Sequence, residues 1–61
     1  MHKEVNDMNF LELEVGKRFV LVRENDNRLV YIKLNENKHN NASYNGMVFS
    51  VHGCSQVKVV E

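Results

Sequence analysis

The sequence predicts an all-β domain, either a small five-stranded barrel or a strongly curled antiparallel meander. Three observations indicate this class. Short runs rich in β-branched and aromatic residues recur at close spacing, clusters of Asn, Asp and Gly separate them, and the 61-residue chain contains no proline. A sheet this small avoids open edges best by closing on itself, and a barrel of that size has room inside only for side chains. We therefore expect a filled interior without a ligand cavity.

The first predicted hairpin joins residues 17–23 to residues 28–34. Phe10–Leu13 precedes it and is too short for a stable helix, which predicts a single turn or an extended segment packed on the sheet. Gly16 marks the change of direction before the first strand. The sequence ENDNR at residues 24–28 favours a turn, because Asn and Asp side chains bond to their own backbone.

The second predicted hairpin contains the sharpest local signal in the chain. Asn45 and Gly46 form an Asn-Gly dipeptide, which supplies the positive φ angles of a type I′ turn. This dipeptide predicts that a short strand at residues 41–44 pairs with a strand at residues 47–51. The apolar alternation of residues 56–61 predicts one further strand.

The length of the chain limits it to one domain, which buries only about 60% of its unfolded surface on folding. Residues 1–9 are polar and lack periodicity, so they are predicted to be a flexible leader before a single domain at residues 10–61. The predicted core consists of the apolar residues on one face of these segments: Phe10, Leu13, Val15, Phe19, Leu21, Val30, Ile32, Met47 or Val48, Phe49, Val57 and Val59.

Composition narrows the classes of function and location. Eight basic and eight acidic residues give a formal net charge of zero, which argues against generic binding to a phosphate backbone. The single cysteine, Cys54, excludes an internal disulfide and fits a reducing cytoplasm. No apolar run approaches the roughly 20 residues of a membrane span, and the first residues lack the apolar segment of a signal peptide. We therefore expect a cytoplasmic protein without a membrane partner.

The residues with potential chemistry do not form a recognisable catalytic or metal motif. His52 and Cys54 have the spacing His-x-Cys, but two ligands do not make a zinc site, and the favoured interpretation is a surface histidine beside a small buried thiol. Nothing in the sequence suggests an orienting group or an oxyanion hole for a Cys-His nucleophile. Glu12 and Glu14 are interpreted as solvated carboxylates. The sequence thus predicts no enzyme, no cofactor, no metal and no small-molecule substrate.

Four segments show a recognisable arrangement: Phe10-x-x-Leu13-x-Val15-Gly16-x-x-Phe19, Val30-Tyr31-Ile32-Lys33-Leu34, Asn41-Ala42 and Val57-x-Val59-Val60. This arrangement resembles small proteins of bacteriophages and related mobile elements, which are predicted SH3-like barrels and mostly have no assigned function. The resemblance covers residues 10–61. It implies an SH3-like barrel that acts in the cytoplasm of a bacterial host, and it implies nothing about catalysis.

The strand at residues 28–34 raises the question of which face is buried. If Val30, Ile32 and Leu34 point into the core, the opposite face and its neighbouring strand present an apolar strip edged by cations. Tyr and Arg are enriched among interface anchors, so this strip is the predicted partner-binding surface. The alternative is that this second face is the buried one. The candidate residues are Arg18, Val20, Val22, Arg23, Arg28, Leu29, Tyr31 and Lys33.

Two function classes remain open at this stage. The first is a protein-binding module that attaches to a host or phage protein, with a homodimer as its simplest version. The resemblance suggests a phage-borne inhibitor or adaptor, including an anti-defence protein such as an anti-CRISPR. The second class is a nucleic-acid binder, in which aromatic rings stack on bases and cations contact the backbone. It would use Tyr31, Tyr44 or Phe49 for stacking, and Arg18, Arg23, Arg28 and Lys33 for the backbone. The zero net charge and low aromatic content favour protein binding.

Overall fold

A computed structural model of the protein describes residues 7–60, which form one six-stranded antiparallel sheet and contain no α-helix. The order of strands across the sheet is β1-β6-β2-β3-β4-β5. The all-β class is confirmed, and of the two predicted architectures the curled antiparallel sheet is the one observed. The predicted closed barrel of five strands is not formed, because β1 and β5 do not pair with each other. The strands are Asp7–Asn9 (β1), Arg18–Leu21 (β2), Tyr31–Lys33 (β3), Ala42–Tyr44 (β4), Met47–Phe49 (β5) and Gln56–Val60 (β6).

The sixth strand, β1, lies within the segment predicted to be a flexible leader. It pairs with β6, and Met8 lies opposite Val57. The prediction of a leader is therefore wrong for residues 7–9, whereas residues 1–6 lie outside the part of the chain that the structure describes. Three residues are too few to show a period, and their partner is distant in the sequence, so no local pattern indicates this pairing.

Both predicted hairpins are present. In the first, β2 and β3 are antiparallel, with Phe19 opposite Tyr31. In the second, β4 and β5 are joined by Asn45 and Gly46, whose φ angles of 52° and 81° are those of a type I′ turn. The final predicted strand corresponds to β6, which inserts between β1 and β2.

Two 3₁₀ turns flank β2. The first, Phe10–Glu12, confirms the predicted single turn, and its Phe10 N–H donates to the Ser55 carbonyl at 2.8 Å. The second, Val22–Glu24, replaces the end of the predicted strand and ends at Asn25, which is left-handed at φ 50°. Asn tolerates this conformation better than most residues, so the polar cluster terminates the strand earlier than its β-branched residues alone predict.

The core is a chain of aromatic rings. Phe19 lies at its centre, with its ring centroid 5.2 Å from that of Phe10 and 5.5 Å from that of Tyr31. Tyr31 in turn contacts Tyr44 at 5.3 Å and the edge of Phe49 at 5.8 Å. Tilted, offset and edge-on arrangements are those that aromatic pairs prefer. The rings therefore connect the first 3₁₀ turn to the four strands from β2 to β5.

The predicted core is confirmed where it follows the strands nearest the centre of the sheet. Phe10, Leu13, Phe19, Leu21 and Val57 are buried, as predicted, and Val30, Phe49 and Val59 are partly buried. The prediction is wrong for four residues that are 40–54% exposed, because they lie on the outer face, at the sheet edge or in a turn. These residues are Val15, Ile32, Met47 and Val48.

Candidate binding surface and the Lys33 pocket

The faces of β3 are the reverse of the predicted ones. Tyr31 and Lys33 are 7% and 1% exposed, whereas Ile32 and Leu34 are each 40% exposed. Side chains alternate along a strand, so one buried position sets the orientation of its neighbours. Here Phe19 sets the orientation, because Tyr31 lies directly opposite it and stacks on its ring.

The predicted partner-binding residues therefore do not form one surface. Three of them are buried and two are half-buried, so the apolar centre of the predicted strip is absent from the surface. The three arginines remain exposed, but they lie on different elements. The buried members are Val20, Tyr31 and Lys33; the half-buried members are Val22 and Leu29; the exposed members are Arg18, Arg23 and Arg28.

Arg28 and Asp26 form a local pair within the turn between β2 and β3. The Arg28 backbone N–H and its Nε both donate to Asp26 Oδ1, at 2.9 and 3.1 Å. The guanidinium, and after it the backbone N–H, lowers the pKa of the Asp26 carboxyl from its ordinary value. Because the Arg28 side chain is 90% exposed, this pair shapes the turn and adds little stability.

Tyr31 connects the core to the second 3₁₀ turn. Its hydroxyl donates to the carboxylate of Glu24, with distances of 3.2 and 3.3 Å to the two oxygens. Burial of the phenol, and then the negative charge of Glu24, raise the pKa of Tyr31 above its ordinary value. The side chain predicted to contact a partner is thus used to hold the turn against the sheet.

The outer face of the sheet carries an apolar strip of different composition. Ile32 on β3 lies opposite Ser43 on β4, which lies opposite Val48 on β5. Residues that are paired across strands point to the same face, so Ile32 and Val48 lie on the face opposite the aromatic core. The alternation of buried and exposed side chains from Tyr31 to Leu34 places Leu34 on the outer face as well.

Strand β5 forms one edge of the sheet, and within residues 7–60 no strand pairs with its outer side. The two residues that flank a two-residue turn, here Tyr44 and Met47, exchange backbone hydrogen bonds, and the next pair along the ladder does not. The backbone N–H and C=O of Val48 therefore point toward the open edge. Met47 and Val48 are 54% and 53% exposed, so the edge is apolar as well as unpaired.

Lys33 is the most deeply buried charged residue that the structure describes. Its ammonium donates to the backbone carbonyls of Phe10 at 3.0 Å and Leu13 at 2.5 Å, and it contacts a Glu36 carboxylate oxygen at 2.8 Å. It also lies 4.7 Å from the centre of the Phe10 ring, which is within the range of a cation–π contact. These contacts tie β3 to the first 3₁₀ turn and explain why a lysine occupies a core position.

A pocket of about 480 Å³ opens beside Lys33, between the first 3₁₀ turn, the loop after β3 and the turn before β6. The apolar part of its wall comes from Phe10, Leu11 and Val51. The pocket lies between loops and meets the aromatic core only at Phe10, and the sequence does not predict it.

The His-x-Cys motif lies at this pocket. His52 Nδ1 accepts a hydrogen bond from the Cys54 backbone N–H at 3.1 Å, and both residues line the pocket together with His39. The three side chains are exposed, so the prediction of a buried thiol is wrong. Within residues 7–60, no group of three or more His, Cys, Asp and Glu side chains is placed to hold a metal ion.

Comparisons with known proteins give no family for this chain: no protein-family model, no curated protein and no solved structure matches it. In the part of the chain that the structure describes, no helix has the length and apolar character needed to cross a membrane. The β5 edge and the Lys33 pocket are therefore the features of the molecule that bear on its function.

Sequence reasoning missed both of these features. The sequence partly indicates the β5 edge, because Met47-Val48-Phe49 is an uncharged strand that follows a tight turn. The signal for the buried lysine was weaker. Lys33 alternates with Ile32 and Leu34 as a solvent-facing residue would, and only the cross-strand pairing of Tyr31 with Phe19 reverses that pattern.

Proposed function

We propose that the protein is a non-enzymatic protein-binding module that takes up an extended segment of its partner along β5. The observation that supports this function is the edge itself, where the backbone groups of Val48 face outward between exposed apolar side chains. An unpaired strand of this kind is a template for addition of another strand.

The distribution of apolar side chains favours strand addition over docking on one flat face. Met47 and Val48 point to opposite faces of the sheet and are both about half exposed. A strand added beside β5 covers both side chains, whereas a partner on the outer face covers Val48, Ile32 and Leu34 and leaves Met47 exposed. The backbone hydrogen bonds give affinity, and the alternate side chains of the incoming strand give specificity.

The aromatic core favours protein binding over the alternative of nucleic-acid binding. Stacking on bases requires exposed rings, and the candidate rings of Tyr31, Tyr44 and Phe49 pack on one another. All five aromatic residues of the sequence belong to the core or pack against it. The nucleic-acid alternative is therefore left with exposed cations and, for stacking, only the partly buried rings of Tyr44 and Phe49.

The partner that we propose is a host or phage protein in the bacterial cytoplasm, in line with the resemblance to small phage proteins. An inhibitor or adaptor, including an anti-defence protein such as an anti-CRISPR, is one form of such a module. A second copy of the chain is the simplest partner, because two antiparallel β5 strands would extend the sheet around a two-fold axis.

Replacement of Val48 by Lys tests this function, because a charged side chain on an edge strand opposes strand addition. The matched control is Val15→Lys, which adds the same charge at another exposed apolar position, 49% exposed and away from β5. Sedimentation velocity of each purified protein reports self-association, and affinity capture from host lysate with mass spectrometry reports other partners. We expect wild type and Val15→Lys to show the same complex and Val48→Lys to lose it.

Three results would contradict the proposal: no complex for the wild type in either measurement, equal complexes for both variants, or capture of nucleic acid alone. Salt concentration separates the last case from protein binding. Affinity that depends on phosphate contacts falls steeply as salt rises, whereas pairing of a strand with an apolar edge changes little.

A further inference from the structure

The Lys33 pocket has the dimensions of a small-molecule site and is independent of the β5 edge. Its volume of about 480 Å³ lies within the ~300–1,000 Å³ of typical ligand pockets. The wall combines apolar side chains from Phe10, Leu11 and Val51 with a single buried cation, Lys33. Such a wall suits a ligand that has an apolar body and one charged group.

The ammonium of Lys33 has one partner that can be exchanged. It donates hydrogen bonds to two backbone carbonyls and forms an ion pair with the Glu36 carboxylate at 2.8 Å. The carbonyls of Phe10 and Leu13 belong to the first 3₁₀ turn and its C-terminal cap, which pack into the core. Glu36 differs, because its side chain is 59% exposed and lies in the irregular loop after β3. Rotation of this exposed side chain would release the carboxylate while the loop keeps its hydrogen bonds to Asn35 and Asn41.

The carboxylate of Glu36 therefore occupies the place of a ligand carboxylate. A buried ammonium that loses its counter-ion is left as an uncompensated charge, so Glu36 leaves at least cost when another anion takes its place. Exchange of one carboxylate for another preserves the ion pair. The apolar contacts of the incoming molecule then decide whether it displaces Glu36.

The charge of the pocket wall also selects an anion. Its formally charged members are Lys33, Lys38 and Glu36, which sum to 2 − 1 = +1. Once Glu36 has swung away, the remaining formal charge at the site is that of the two lysines. A carboxylate ligand restores the balance, whereas a cation would be repelled.

We propose that this pocket binds a small organic acid with an apolar body, and that the ligand carboxylate replaces that of Glu36 on Lys33. Glu36 is then an internal competitor that keeps the ammonium paired when no ligand is bound. The affinity for the ligand depends on the difference in free energy between two ion pairs of Lys33, one with the ligand carboxylate and one with Glu36. Weakening the ion pair with Glu36 therefore strengthens ligand binding.

The test uses 2-naphthoate as the probe and its neutral analogue 2-naphthamide as the ligand control. Glu36→Gln replaces the internal carboxylate by an uncharged amide and so removes the ion pair, and isothermal titration calorimetry measures binding of the probe. We expect Glu36→Gln to bind 2-naphthoate at least about tenfold more tightly than wild type does. The affinity for 2-naphthamide is expected to be the same in both proteins. Glu14→Gln removes an exposed carboxylate outside the pocket wall and is expected to behave as wild type.

A second measurement uses Cys54, the only cysteine in the chain and part of the pocket wall. Saturating 2-naphthoate is expected to slow alkylation of Cys54 by iodoacetamide several-fold in Glu36→Gln, and 2-naphthamide at the same concentration is expected to leave the rate unchanged. The proposal is overturned if Glu36→Gln does not bind 2-naphthoate, if Glu14→Gln gains as much affinity, or if bound ligand leaves Cys54 equally reactive. Loss of the β5 complex would not affect these results.

Discussion

Tyr31 and Lys33 are two residues apart on β3 and are both buried on the same face, yet they stabilise the protein in different ways. Around Tyr31 the core consists of aromatic rings that meet at centroid distances of 5.3–5.8 Å. Around Lys33 it consists of hydrogen bonds from one ammonium to two backbone carbonyls and an ion pair with one carboxylate. The aromatic region depends on shape and area, and the lysine region depends on particular donors and acceptors.

This difference determines how each region responds to change. Contacts between apolar groups are non-directional, so neighbouring rings can shift to fill part of a lost volume. A carbonyl that loses its only donor has no such remedy. Among residues 7–60, the Leu13 carbonyl accepts a hydrogen bond from Lys33 alone, whereas the Phe10 carbonyl also accepts from the Leu13 N–H at 3.1 Å. We therefore expect the largest effects where a donor is removed.

Replacement of Lys33 by Met should have the largest effect. The substitution keeps much of the side-chain volume and removes the charged donor, so we expect a loss of about 2–4 kcal/mol in the free energy of unfolding. Urea denaturation followed by circular dichroism measures it. Lys58→Met is the control, because Lys58 is exposed on β6, and a change within about 0.5 kcal/mol is expected there. Equal losses for Lys33→Met and Lys58→Met would show that the buried bonds of Lys33 add no stability beyond that of an exposed lysine.

Replacement of Phe19 by Leu should have an intermediate effect. The ring is 0% exposed, but the substitute is apolar and the surrounding rings can close around it, so we expect a loss of about 1–2 kcal/mol. The same urea denaturation measures the change. A loss larger than that of Lys33→Met would show that ring packing is the more specific of the two interactions.

Replacement of Tyr31 by Phe should have the smallest effect and should depend on pH. The variant keeps the ring and loses the hydrogen bond to Glu24, so we expect a loss of about 1 kcal/mol near pH 7. The folded protein raises the pKa of Tyr31 and thus favours the protonated phenol. Its contribution is therefore complete below the ordinary tyrosine pKa of about 10 and declines as the pH rises through the folded value.

Urea denaturation between pH 7 and pH 11 measures this dependence. The difference in unfolding free energy between wild type and Tyr31→Phe should shrink above pH 10. Glu24→Gln is the control, because it keeps a hydrogen-bond acceptor and removes the charge that helps to raise the pKa of Tyr31. In the Glu24→Gln background, the effect of Tyr31→Phe on the unfolding free energy should therefore depend less on pH. A difference that stays constant with pH would contradict the role of the phenol proton.

The parts of the fold that were predicted correctly have local signals. Asn45 and Gly46 adopt positive φ angles that few other dipeptides tolerate, and this requirement is visible in the sequence. The turn around Asp26 also follows from local bonding between a side chain and the backbone. The pairing of β1 with β6 could not be predicted in this way, because it depends on contacts between distant parts of the chain.

The candidate site was predicted less well, because its position depends on which face of β3 is buried. Both faces of residues 28–34 are sufficiently apolar to pack inside, so composition does not distinguish them. The choice is made by the ring of Phe19 on the neighbouring strand, and by backbone carbonyls that are able to pair with the lysine. The first of these depends on strand register and the second on tertiary position, and neither is visible in the sequence of β3.

The insertion of β6 between β1 and β2 has a kinetic consequence. As the chain folds, β2 to β5 can pair as successive hairpins, whereas β1 has no neighbour in the sheet until it meets Gln56–Val60. Such long-range pairing slows folding, since much chain must be ordered before the contact is gained. Completion of the sheet is thus a late step that brings the earliest and latest strands together at once.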